Sequence, residues 1–139
     1  MTCLIDSSVL IALADRLHTA HDVCRNWISG PSVTGFATCP ITQTALLRYV
    51  LRRNPGGGPD DATAVLAAIC ADPRHRFWTD DLEPRMLAWN GVVGHRQVTD
   101  TYLASLARSR GEQIVTLDRG LALVHPDVAH LIDGQGART

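Results

Sequence analysis

Short, wholly apolar runs that end on an acid constrain this chain more than any other feature. Cys3-Leu4-Ile5 runs into Asp6, and Ile114-Val115-Thr116-Leu117 runs into Asp118. A strand with one wet face alternates apolar and polar residues. An unbroken apolar run instead fits a strand covered on both faces, as in parallel sheets flanked by helices. Residues 35–39, 76–78 and 128–132 read as further strands, with Pro40 ending the pairing of the first of these. Helical patterns separate the runs: residues 9–15 behind the possible caps Ser7 and Ser8, residues 20–28, and a helix capped by Thr42 whose Leu46, Leu47, Val50 and Leu51 form one stripe. A fourth helix starts at Asp60 or Asp61 and runs to Ile69. Residues 82–89 are weakly helical, with Asp80-Asp81 as their cap, and residues 99–110 form a helix closed by Gly111. This alternation predicts an α/β/α sandwich around a short, mostly parallel central sheet of four to five strands. With 139 residues, the chain reads as one domain over 1–139.

Composition narrows the function classes. The net charge of −1 gives no global attraction for nucleic acid, so any phosphate contact has to be local. All 13 basic residues are arginine, which suits bidentate phosphate contacts but is explained more simply by a GC-rich genome. Cys3, Cys24, Cys39 and Cys70 lack metal-finger spacing and read as free, largely buried thiols. No run is long enough for a membrane span, and an acid at position 6 interrupts any signal peptide. The expected location is the cytoplasm, with no membrane association.

Asp6 and Asp118 close strands, and carboxylates at the carboxyl ends of parallel strands point into the crevice where such sheets bind ligands. On the helix from Thr99, Asp100 shares a face with Leu103, Ala104 and Ala107, which turns it toward the sheet. Read singly, Asp100 is also a favourable first-turn charge, and Asp118 a turn former. Together, the three would repel one another unless a cation neutralised them, and an all-oxygen set suits Mg²⁺ or Mn²⁺ rather than zinc. His95 and Arg96 just before Asp100, and Arg48, are candidate phosphate contacts, although loop or surface roles explain them equally well.

The segments LIDSSVLIAL, CPITQTALLRYV, GHRQVTDTYLASLA and IVTLDRGLAL resemble the PIN domain, and more closely the VapC ribonuclease toxins of bacterial VapBC toxin–antitoxin pairs. The resemblance implies a Mg²⁺-dependent endoribonuclease, with Mn²⁺ as a substitute, that cleaves RNA by attack of activated water. Asp6, Asp100 and Asp118 match the family's first, third and fourth acids, as metal ligands and catalytic residues. Ser8 and Thr116 match its supporting hydroxyls. It also implies a small VapB-like antitoxin and a toxin homodimer. One position departs: in Thr42-Gln43-Thr44-Ala45-Leu46-Leu47-Arg48, Ala45 stands where the family carries glutamate. Three explanations are open: a three-aspartate site with Thr42 and Gln43 in support, an engineered silencing, or a degenerate member acting mainly through its antitoxin. A metal phosphatase fits less well, because Asp6-Ser7-Ser8 lacks a second acid.

Overall fold

In the computed structural model, which describes residues 2–133, β1 (Thr2–Ile5) is buried from Cys3 onward on both faces. The remaining strands are β2 (Gly35–Thr38), β3 (His75–Phe77), β4 (Gln113–Thr116) and β5 (Ala129–Leu131). All four pairings are parallel, and the order is β3-β2-β1-β4-β5. The unbroken apolar run therefore belongs to the central strand. From β1 the chain builds outward through β2 and β3, then returns to the other side for β4 and β5. The reversal falls between β1 and β4, whose carboxyl ends frame the crevice where open α/β sheets take ligands.

Alternation along the strands divides the interior into two cores. Cys3, Ile5, Phe36 and Val115 face α1 (Ser7–Ala14), α2 (His21–Ile28), α3 (Pro40–Arg53) and α4 (Pro59–Cys70), where Val9, Leu10, Cys24, Ile28 and Leu46 meet them. Leu4, Ala37 and Ile114 face the other way, toward α5 (Val98–Ser109) and α6 (Arg119–Val124), against Leu103, Leu106 and Leu121. Helices on both faces of an all-parallel sheet make the expected α/β/α sandwich. The four cysteines are free, as expected. Among the described residues, no helix is long and apolar enough to cross a membrane.

Several local expectations need correction. The first helix begins at Ser7 rather than Val9, because Asp6 itself is the N-cap and accepts from the Ser7 N–H at 2.8 Å. Thr42 does not cap α3. That helix starts three residues earlier, with Cys39 as its N-cap and Pro40 at its first position, where proline's missing N–H costs nothing. Thr42 instead reaches back, its Oγ1 accepting from the Cys39 N–H at 3.0 Å. Residues 82–89 hold only a single 3₁₀ turn, Pro84–Met86, so Asp80 and Asp81 cap no helix there. Short α6 lies where only a turn was expected. The stripe assigned to α5 was too narrow, since Thr101 to Ala107 are all buried. The sheet covers one side of that helix, and Trp78, Leu82, Leu87 and Val128 pack in the same core.

Candidate active site

Each of the three acids stands at the start of a helix on the carboxyl edge of the sheet. Asp6 is the N-cap of α1, Asp118 is the N-cap of α6, and Asp100 lies in the first turn of α5. Helix N-termini carry partial positive charge and unpaired N–H groups, so these ends lower the cost of concentrating carboxylates. The sequence placed the acids at element boundaries, but it did not show that three helix starts meet at one edge.

Asp6 is 4% exposed and held from three directions. Its Oδ1 accepts from the Ser7 N–H, and its Oδ2 accepts from Ser8 Oγ at 2.8 Å and from Thr116 Oγ1 at 2.7 Å. Both hydroxyls also receive a backbone donor from the end of β4: Leu117 N–H to Ser8 Oγ at 3.2 Å, and Asp118 N–H to Thr116 Oγ1 at 2.9 Å. Ser8 and Thr116 therefore lock Asp6 to the segment that carries Asp118. Asp118 is exposed, and its Oδ1 accepts from the Gly120 N–H at 2.8 Å.

Asp100 has a different environment. It is half-buried, and no hydrogen bond or salt bridge reaches its carboxylate from any described residue. Burial pushes its pKa up from 3.8 to about 6, and the negative charges of Asp6 and Asp118 push in the same direction. Among the described residues, no arginine is ion-paired with any of the three acids. A carboxyl burdened by desolvation and two like charges, with no compensating donor, suits a cation. Among the described residues, no three His, Cys, Asp or Glu side chains stand close enough to form a ready-made ligand cage. The convergence is therefore electrostatic, and a bound ion would have to draw the carboxylates inward.

The other candidates divide. Gln43 is turned away from the acids: its Nε2 donates to Thr38 Oγ1 at 2.9 Å and lies 3.9 Å from Cys70 Sγ. Thr38 follows Phe36 onto the α1–α4 face of the sheet, whereas Asp6 and Thr116 follow Leu4 and Ile114 onto the other. Thr42 is buried and engaged with the Cys39 backbone. Ala45 is half-buried on α3 and offers no ligand atom. Arg48, His95 and Arg96 are exposed, the last two on the 3₁₀ turn His95–Gln97 that runs directly into α5. One residue missed by sequence reasoning is His125. It is 6% exposed and hydrogen-bonded to Thr101, the neighbour of Asp100. Without a ligand-like spacing, nothing in the sequence marked it.

The family model of the PIN domain matches residues 3–125. The chain is 50% identical over 132 residues to ribonuclease VapC29 of Mycobacterium tuberculosis, covering 95% of this chain and 97% of that protein. It is 39% identical over 123 residues to ribonuclease VapC38 of the same organism, covering 85% and 86%. Among solved structures, VapBC2 from Rickettsia felis bound to a promoter DNA fragment aligns with a TM-score of 0.67 at 12% identity, over 96% of this chain and 100% of that one. Mycobacterium tuberculosis VapC20, a sarcin-ricin loop cleaving toxin, aligns with a TM-score of 0.62 at 20% identity, over 99% and 94%. At those identities the two structures speak for the fold, and the relatives speak for the family. With its sandwich, its acid-bearing edge and a match along nearly its whole length, the chain belongs to the PIN-domain family, in its VapC branch.

Proposed function

We propose that this protein is a Mg²⁺-dependent endoribonuclease, the toxin of a type II toxin–antitoxin pair, acting in the cytoplasm at the crevice between the ends of β1 and β4. The observation that carries the reading is Asp100: a half-buried carboxyl pushed up to about 6 beside two further acids, with no partner of its own. Relatives named ribonucleases at up to 50% identity support an RNA substrate, and the VapBC assembly of a structural neighbour supports a VapB-like antitoxin partner. A homodimer is part of the same reading.

Asp6, Asp100 and Asp118 would hold Mg²⁺, with Mn²⁺ able to replace it. When bound, the ion supplies Lewis-acid chemistry, acidifying water and stabilising charge on the phosphodiester. The chain's residues do the rest by placement. Ser8 and Thr116 hold Oδ2 of Asp6 and the Ser7 N–H holds its Oδ1, which fixes the carboxylate against rotation, and the Gly120 N–H fixes one oxygen of Asp118. Asp100, free of hydrogen bonds, can move toward the ion. The N-termini of α1 and α5 would offer backbone phosphate the partial positive charge of a helix start, and exposed Arg48, His95 and Arg96 supply local contacts that the net charge does not.

The test compares cleavage of single-stranded RNA by the natural chain, Asp6→Asn and Ala45→Glu, each with Mg²⁺ and with chelator. The expected result is cleavage by the natural chain that chelator abolishes, with at least about a hundredfold loss in Asp6→Asn. A gain in Ala45→Glu would identify the missing acid as limiting, and no gain would mean that three aspartates suffice. Chelator-resistant cleavage, or silence in both the natural chain and Ala45→Glu, contradicts the proposal.

A further inference from the structure

The imidazole of His125 lies between the two elements that carry Asp100 and Asp118. Its Nε2 is 3.1 Å from Thr101 Oγ1, and Thr101 directly follows Asp100 on α5. Its backbone N–H donates to the Leu121 carbonyl at 3.0 Å, closing α6 at the end opposite Asp118. The His125 carbonyl in turn accepts from the Ala129 N–H at 2.9 Å, where the chain enters β5. One buried residue therefore ties together α5, α6 and the adjoining edge strand.

The tautomer follows from its neighbours. Arg108, 3.5 Å from Nδ1, has only donors, so Nδ1 is the acceptor and Nε2 carries the proton toward Thr101. Burial and the Arg108 charge both hold the ring below its ordinary pKa, against the opposing pull of Asp127. Arg108 itself is clamped by Asp127 at 2.8 and 2.9 Å. Thr101 is fully buried, and its carbonyl accepts from Ser105 Oγ at 2.7 Å, so the tie is anchored in the buried part of α5.

We propose that His125 is a positioning residue that sets the spacing between Asp100 and Asp118 by tying Thr101 of α5 to the short helix capped by Asp118. The inference rests on the reading of these acids as the metal site. A ligand carried on a six-residue helix has little positional precision of its own, because so short a helix is marginal without tertiary support. The bond to Thr101 supplies that support beside the other acid, and a displacement of either helix would separate the two carboxylates.

The experiment measures Mn²⁺ binding by calorimetry on the folded full chain, with thermal stability recorded alongside. Thr101→Val removes the hydroxyl at constant shape, and His125→Ala removes the ring. His125→Gln retains an N–H donor near Nε2, and Val33→Ala is a packing control in the opposite core. Thr101→Val and His125→Ala are expected to weaken Mn²⁺ about tenfold or more, as loss of an orienting partner does. The double variant should be little weaker than the worse single, because both break one bond. His125→Gln should recover most of the affinity, and Val33→Ala should lose stability with Mn²⁺ binding intact. Unchanged affinity in both Thr101→Val and His125→Ala overturns the role and leaves His125 a core residue. A natural chain that binds no Mn²⁺ removes the metal site itself, and that arm distinguishes the two failures.

Discussion

At the scale of single residues, Asp6 and Asp100 show how environment divides labour between identical carboxyls. Asp6 has three donors and a fixed orientation, while Asp100 has none and carries the electrostatic burden of the site. In the folded chain the Asp100 carboxyl holds its proton to about pH 6, whereas the unfolded chain releases it near 3.8. Between those values the folded state binds more protons, so this group's contribution to stability falls as pH rises through the window. Asp100→Asn should therefore stabilise the fold at pH 7.5, by about 1 kcal/mol after discounting for the group's partial exposure. The gain should fade as pH drops toward 4, as read by urea denaturation across pH. Divalent ions should raise the melting temperature of the natural chain and leave that of Asp100→Asn nearly unmoved. Thr116→Val deletes the 2.7 Å donor to a buried carboxylate and should cost about 1–3 kcal/mol by the same measurement.

Among the secondary elements, legibility followed pattern. Helices α3, α4 and α5 could be read because their stripes repeat over several turns, and strands β1 and β4 because their runs are unbroken and apolar. Helix α6 could not, since Arg119–Val124 spans less than two turns and contains a glycine, so Asp118 looked like a turn former. The capping of α1 was misassigned to Ser7 and Ser8 because both are good caps by type. The bond from the Ser7 N–H gives that role to Asp6, and Ser8 Oγ turns back to support the carboxylate. Gly111 was legible as the stop of α5, and it sits at φ +68°, where a Cβ is strained. Gly111→Ala should cost about 1 kcal/mol in urea denaturation without altering activity.

For the molecule as a whole, alternation of strands and helices implied a parallel sheet but not its order. That order, β3-β2-β1-β4-β5, puts β1 and β4 side by side at the reversal. It is what brings residues 6 and 118 to one crevice from opposite ends of the chain. Sequence spacing carries no record of that neighbourhood, and the resemblance to a known family supplied it in advance. The family pattern also exposed the gap at Ala45. The structure adds that Gln43, the nearest amide, is committed elsewhere, so the account stands on three acids rather than on a substituted fourth. The most direct measurement is the anomalous-scattering map of a crystal grown with Mn²⁺. The account expects a peak in contact with the Asp100 carboxylate and shared with Asp6 or Asp118, lost in Asp100→Asn crystals. Ordered crystals of the natural chain with no peak at Asp100 at saturating Mn²⁺ would contradict it.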